Sequence, residues 1–541
     1  MPNRSPLYSI SNDIAWTIFL SIASDLDMHA SERLSEVIKL SHVYTTWREL
    51  ILNAPSIWSK LLWVNNSDCS RYWLPVVLER SRSSALWIEG DVYTGGREKY
   101  ADSATAFFKL LDDEWDRVER LVVGIYGNGQ AKYYGSRKQI HSILCRPAPA
   151  LRTFVLDDRT SAIDMHNPPS SVASCCPLFG GSAPRLSQFG TNMAPLTNLT
   201  CLCNIRNFYT ARRSLYSTNV RQFLTVLEDM RCLESLAVYH DIIDEATPLT
   251  TAPLPTVSLP FLSKLVLHTT AKNCLAILNN VKPSQTGCLV SCNASIDPWD
   301  PVVESTLNDL RTAFARIMAE HIRLAHDCKS IKSIELHIMD GVVLLNDACS
   351  ILSGHDSNKF KLSLSWPSWV TAPEAPYPPG FLKSVCELFK LAQLSAATRL
   401  RLALFDDHGG CFDFAVFRPL LASFESAKSI EMDLMAFKLL SSISVNAATN
   451  SPPVFPALTV LRLTERHDHQ RPTLCSKFMD GLIRFLSGRV TPLKVLDFAC
   501  DLVEEEVTSL VRALEELKLE APLRVCWWQE GKPAFRVLNR F

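Results

Sequence analysis

The sequence predicts an α/β chain, with a compact all-helical unit at its N-terminus followed by a long array in which one strand alternates with one helix. Three observations predict this. A short pattern, apolar at positions one, four and six, recurs along most of the 541 residues. Neighbouring copies start about thirty residues apart, and helical stretches lie between them. The first sixty residues carry helical spacing throughout.

In the opening unit, Ser11 and Asn12 are able to cap a helix, and Ile14, Ile18 and Ile22 follow every fourth residue with Phe19 beside them. From Ser31 to Leu52 the spacing predicts a second helix with two apolar stripes. Leu34, Val37, Ile38 and Ser41 form one, and Leu40, Val43, Trp47 and Leu50 the other. A helix apolar on two sides has neighbours on both. Asn53 and Pro55 stop the pattern, because proline lacks an amide hydrogen and biases the preceding residue away from the α region. Ile57, Trp58 and Leu61 resume it. A unit this short has a marginal core by itself and gains by packing against the rest of the chain.

"DIAWTIFLSIAS" and "RLSEVIKLSHVYTTWRELILNAPSIWSKL" together resemble the F-box, notably in Leu40, Ser41, His42, Val43, Trp47, Arg48, Pro55 and Trp58. The likeness spans roughly residues 9–62. Ile10-Ser11 stands in the place of the family's opening Leu-Pro, and Tyr44 in that of its usual Cys. The resemblance implies three helices that dock on a Skp-type adaptor, and through it on a cullin-RING ubiquitin ligase. The adaptor-binding residues it implies here are Ile10, Ile14, Ile18, Leu40, Val43, Trp47 and Leu50.

The recurring pattern begins at Val118 (VERLVV), Leu151 (LRTFVL), Leu233 (LESLAV), Leu262 (LSKLVL), Ile331 (IKSIEL), Leu458 (LTVLRL) and Leu493 (LKVLDF). Weaker copies begin at Leu186, Ala397, Ala427 and Leu523. Helical spacing lies between them, as in Phe223, Leu224, Leu227 and Met230, and in Val507, Leu510, Val511 and Leu514. Proline-rich stretches at 247–260, 368–380 and 450–456 predict surface loops between units. This resembles a degenerate leucine-rich repeat, and the chain as a whole resembles fungal F-box and leucine-rich-repeat proteins. The fold class expected is therefore α/β: an N-terminal three-helix F-box-like unit followed by an irregular leucine-rich-repeat solenoid, a curved parallel sheet with outer helices. The divisions expected are residues 1–62 for the F-box-like domain, 63–115 for a connecting segment or solenoid cap, and 116–541 for the solenoid. A single doubly wound α/β globule is the competing architecture, but it does not explain the repeated one-four-six register.

Composition narrows the function. Lys and Arg total 55 against 56 Asp and Glu, so no excess of positive charge draws the chain to a phosphate backbone or an anionic membrane. The 17 cysteines lack the dense spacing of a disulfide-stapled secreted scaffold. The N-terminal stretch lacks the apolar run of a signal peptide, and no segment has the length of apolar sequence that spans a bilayer. A cytoplasmic or nuclear protein is expected.

Chemistry-bearing motifs are sparse. Cys175 and Cys176, Cys201 and Cys203, and His467 and His469 lack the paired spacing of a zinc site. Gly127 and Gly129 lack the further residues of a dinucleotide or phosphate loop. Asp406, Asp407 and His408 sit at a strand end, where a polar turn closed by Gly409 and Gly410 accounts for them. No catalytic residue, metal or cofactor is expected. In the repeat register, positions three, five and seven line the open sheet face. They place Lys264, Val266 and His268, then Ser333, Glu335 and His337, then Val460, Arg462 and Thr464, then Val495, Asp497 and Ala499 on that face. Mixed charge with apolar residues between suits a protein partner better than phosphate. Lys264, His268, Glu335, His337, Arg462 and Thr464 are the candidate partner contacts. The resemblances together imply a non-catalytic substrate-recognition subunit of a ubiquitin ligase, with the helices on the adaptor and the array on an unidentified target. The alternative is a repeat scaffold unconnected to ubiquitin, in which the helices cap the solenoid.

Overall fold

The computed structural model describes residues 10–65, 68–94, 98–127, 140, 142–160, 177–191, 202–210, 220–239, 253–283, 288–324, 333–339, 342–347, 360–366, 380–390, 392–405, 417–445, 454–464, 476–489, 491–517, 521–529 and 532–538. The chain divides into two compact units. One comprises Met1–Lys264 with Asn280–Ser284, the other Leu265–Asn279 with Gln285–Phe541.

The first unit opens with helices. Helix α1 (Asn12–Ala23) starts at Ser11, whose backbone is extended and whose hydroxyl accepts the Ile14 N–H at 3.4 Å. It buries Ala15, Phe19 and Ala23 on one four-residue stripe. Helix α2 (Ala30–Ser41) is held at its start by Glu32, whose carboxylate accepts the His29 N–H at 3.0 Å. The helix expected over Ser31–Leu52 is two helices. A turn follows Ser41, Tyr44 is extended (φ −151°, ψ 140°), and α3 runs over Thr45–Leu52. Val43, Tyr44, Thr45 and Thr46 are β-branched or aromatic in succession, and each lowers helix propensity. Pro55 then opens the single turn α4 (Pro55–Trp58).

Aromatic side chains fasten these helices. Phe19 of α1 meets Trp47 of α3 edge to face at 5.3 Å. Trp58, 2% exposed, donates its indole N–H to the Ile51 carbonyl at 2.7 Å. Arg80, on α5 (Asp68–Ser81), covers the Trp58 ring at 4.5 Å.

Seven strands follow: β1 (Leu62–Val64), β2 (Leu86–Tyr93), β3 (Val118–Gly127), β4 (Thr153–Thr160), β5 (Gln188–Thr191), β6 (Asn207–Thr210) and β7 (Ser235–Tyr239). Each pairs in parallel with the next. Helices α6 (Glu98–Glu114) and α7 (Val220–Asp229) lie between strands in sequence, and Val257–Ser258 (β8) pairs in parallel with Val281–Lys282 (β10). The one-four-six pattern is buried, positions four and six because a strand's period of two gives them one face and position one because it lies at or before the strand's start: Val118, Leu121 and Val123, then Leu151, Phe154 and Leu156, then Leu233, Leu236 and Val238. Parallel strands in register bring equivalent positions within stacking distance. Phe154, Phe189 and Phe208 accordingly form a stack through the core, with centroids 5.7 and 6.0 Å apart. Each such buried phenylalanine contributes roughly 2–3 kcal/mol. Strands β1 and β2 join this ladder ahead of residue 116, and β6 carries a further copy of the pattern, Ile205, Phe208 and Thr210, with a threonine in the sixth, otherwise apolar position.

In the second unit, apart from the end residues Lys264 and Asn280, come β9 (Lys264–Thr270) and α8 (Ala271–Asn280), then β11 (Leu289–Ser295), α9 (Val303–Leu324), β12 (Ser333–Met339), β13 (Val342–Asp347), β14 (Phe360–Ser365) and α10 (Phe381–Phe389). They are followed by β15 (Arg399–Phe405), α11 (Arg418–Ala422), β16 (Ser429–Asp433), α12 (Leu434–Val445), β17 (Val460–Thr464), α13 (Ser476–Ser487), β18 (Val495–Asp501), α14 (Glu504–Glu515), β19 (Leu523–Gln529) and β20 (Lys532–Leu538). From β15 to β19 consecutive strands pair in parallel.

The expected all-parallel sheet is interrupted twice. Strand β13 is antiparallel to both β12 and β14, so that β14 pairs with β11 while β12 pairs with β15. Strand β20 is antiparallel to β19. In both hairpins only two residues separate the strands, Asp340-Gly341 and Glu530-Gly531. A parallel crossover needs a dozen or more residues, whereas two ending in glycine suit a hairpin. The copy placed at Leu523 is also shifted: Val525 and Trp527 face the core, while Trp528 is exposed. Val266, expected on the open face, is buried as well.

Candidate functional site

Two kinds of surface emerge from these elements. The first is on the helical unit. With Ala15, Phe19 and Ala23 turned inward, Ile14 and Ile18 on α1 are left 56% and 43% exposed. Val43, in the turn between α2 and α3, is 51% exposed. Ile10, Leu40, Trp47 and Leu50 are half-buried. Trp47 therefore does double service: its ring holds α1 through Phe19 while part of it stays accessible.

The underside of the helical unit is occupied by a charged junction. Arg33 of α2 is 1% exposed, and its guanidinium reaches Glu89 of β2 at 2.9 Å. It also donates to the carbonyls of Asp25 at 2.9 Å and Met28 at 3.0 Å. Arg120 of β3 pairs with the other Glu89 oxygen at 2.7 Å. Beside this pair the Trp87 indole N–H donates to Glu119 at 3.0 Å, and Lys60 lies over the Trp87 ring at 3.5 Å. Burial chiefly holds the Lys60 ammonium below its usual pKa.

The second kind of surface is the sheet face that alternates with the core. In the second unit, direct register aligns Glu335, Arg401, Glu431, Arg462 and Asp497 on five successive strands. Charges alternate along this row, with neighbours at 3.5, 3.6, 3.9 and 3.6 Å. His337 Nε2 stands 3.0 Å from Glu335, and Asn346 donates to the same carboxylate at 3.4 Å. Of the expected contacts, Glu335, His337 and Arg462 thus belong to one network, and Thr464 lies one pair further along β17. Lys264 and His268 lie on β9, Lys264 exposed and His268 half-buried. The sequence shows the charges; only register shows that they alternate.

The His337 imidazole beside it, acting against burial, holds Glu335 below the ordinary glutamate pKa of 4.5. Its stabilising contribution is therefore present above that value and is lost as pH falls through the lowered folded pKa. Acid unfolding followed by circular dichroism should show a steeper fall below pH 4.5 in the native chain than in Glu335→Gln. Arg401→Glu should cost about 1 kcal/mol in low salt, since like charges opposite one another repel by a few tenths to one kcal/mol per pair. Raising the salt should recover much of that loss, because the row is partly exposed.

The first unit presents a different face, missed by the sequence reading. Tyr93 and Tyr126 stack at 5.0 Å, and the Arg159 guanidinium covers Tyr126 at 5.2 Å while pairing with Asp157 at 2.5 Å. One register row inward lie Asp91, Gly124 and Asp157, and the next holds Glu89, Val122, Val155, Gly190 and Tyr209. The Tyr209 ring rests on Gly190, where a Cβ would stand 2.3 Å from Cε2. Gln188 donates to the Tyr209 hydroxyl at 3.2 Å, and burial pushes that phenol up to about 12. The readable signal was an equal offset: Gly124 and Tyr126, and Asp157 and Arg159, stand at positions seven and nine of the copies that begin at Val118 and Leu151.

Among the described residues no three His, Cys, Asp or Glu side chains are placed to hold a metal ion, and no helix is long and apolar enough to cross a membrane. Asp406, Asp407, His408, Cys175, Cys176, Cys201, His467, His469 and Gly129 lie outside the described residues. No family model matches the chain, and no curated protein matches it. Among solved structures it is similar to the leucine-rich repeat-containing protein LegL7 from Legionella pneumophila. The two are 10% identical, with 75% of this chain and 92% of that one covered, at a TM-score of 0.25. At that score the likeness carries no inference about function.

Proposed function

We propose that the chain is a non-catalytic substrate receptor of a cullin-RING ubiquitin ligase, acting in the cytoplasm or nucleus. Its N-terminal helices would hold a Skp-type adaptor and its strand–helix array a target protein. The observation that carries this reading is the exposure of Ile14 and Ile18 on α1 and of Val43 in the turn after α2, while the inward faces of the helices are already filled. Large apolar side chains grouped on one small unit favour a partner. Such a protein works by proximity: two linked binding modules make the meeting of target lysine and ubiquitin-loaded enzyme intramolecular in effect.

Co-expression of the full chain with a Skp-type adaptor tests the reading. Retention of the adaptor through purification is the expected result, and its absence would remove the ligase role. The second reading, a repeat scaffold with a helical cap and no link to ubiquitin, draws support from the buried pairing of Arg33 with Glu89. A solenoid needs its terminal core covered. Removing residues 1–62 would strip Glu89 of that partner, so point substitutions separate the readings better than truncation does.

A further inference from the structure

We propose that the open sheet face of the first unit is the target contact, and that it takes an extended protein segment with an apolar side chain next to a lysine or arginine. The inference rests on the array being a protein-recognition surface and is independent of adaptor docking. Its floor is low. Val122 and Val155 lie side by side on adjacent strands, half-buried, between Gly124 and Gly190. A Cβ at Gly124 would stand 2.7 Å from an Asp91 carboxylate oxygen, so glycine there lets that side chain fold down beside the floor. Aromatic rings rise at two borders of this trough, and tyrosine and arginine are the residues that dominate protein contacts. The trough runs across the strands, so a bound segment would meet their side chains rather than their backbone hydrogen bonds, which the ladder already uses.

Charge decides what fits. Glu89 is paired with Arg33 and Arg120, and Asp157 with Arg159. Asp91 is exposed, and among the described residues no cation lies within ion-pairing distance of it. Of these three acids Asp91 is the one without an ion-pair partner among the described residues, and that position calls for a cationic side chain and disfavours phosphate.

Panning a library of random short peptides on the immobilised full chain tests this. Selected peptides should carry Lys or Arg beside an apolar residue. Asp91→Lys should weaken them about 10-fold or more, and panning on that variant should select Asp or Glu instead. Asp91 is exposed, so its replacement should leave the circular dichroism spectrum as it was; Val155→Asp is a second probe of the floor. Selection of no peptides, selection without basic residues, or binding indifferent to Asp91→Lys would each overturn the proposal. Retention of the Skp-type adaptor by Asp91→Lys, measured alongside, reports on the ligase reading alone. Loss of peptide binding with the adaptor kept, or the reverse, tells the two apart.

Discussion

Glu89→Gln should lower the stability of the first unit by about 3–5 kcal/mol, the cost of leaving a buried charge without its partner. Arg33 has no route to solvent at 1% exposure, and its remaining acceptors are backbone carbonyls. Glutamine keeps the shape of the side chain but gives up the charge that two arginines share. Equilibrium urea unfolding, followed by tryptophan fluorescence, should show the midpoint fall with Trp58 and Trp87 both reporting. Arg33→Met combined with Glu89→Leu should recover part of the loss, because a buried ion pair is often replaced by apolar side chains at small cost. A Glu89→Gln chain as stable as the native one would mean that the junction does not hold the helices to the sheet.

Val43→Asp, and Ile14→Asp with Ile18→Asp, should reduce retention of a Skp-type adaptor by roughly 30-fold or more, the effect of losing one binding hot spot. These positions are chosen for exposure. Trp47→Ala would also open the contact with Phe19 and confuse binding with folding. Substitutions at exposed sites away from caps and cores cost about 0.5 kcal/mol or less, and a carboxylate at position 14 stands in the favourable first turn of α1. Thermal unfolding should therefore be unchanged. Adaptor binding that survives all three changes would mean that Ile14, Ile18 and Val43 are not the contact; a native chain that retains no adaptor would point to the scaffold reading.

The repeat core was legible because a strand with one buried face leaves period-2 apolar marks, and Leu121, Phe154, Leu236, Leu461 and Leu496 all fall where the pattern places them, fully buried. What escaped has physical causes. Strands β1 and β2 lie almost wholly in residues 63–115, expected as a connecting segment or cap, because β1 is three residues long and β2 carries Gly90 opposite Val123, where the pattern calls for an apolar side chain. The break at Val43 and Tyr44 hides inside an apolar stripe that helical spacing continues by coincidence. Trp527 and Trp528 are equally apolar, so composition does not say which faces inward. The open faces were harder still. Their residues are free of any core constraint, so the ladder of Glu335, Arg401, Glu431, Arg462 and Asp497 appears only once the strands are aligned. Asp91, Val122 and Gly190 are brought together by a register to which no single segment refers.

The reversed strand between β12 and β14 sets a limit on the order in which the chain is assembled. An array whose strands pair in sequence is able to grow from one end, each new repeat docking on the last as it leaves the ribosome. Here β11 acquires its β14 neighbour only after residue 365 has been made, and β12 must wait for β15. Long-range closures of this kind slow folding and leave apolar strands uncovered meanwhile. Residues 289–405 are thus one indivisible block for synthesis and for design. From β16 to β18 each strand pairs with the strands next to it in sequence, whereas a cut inside that block separates partners on both sides of it.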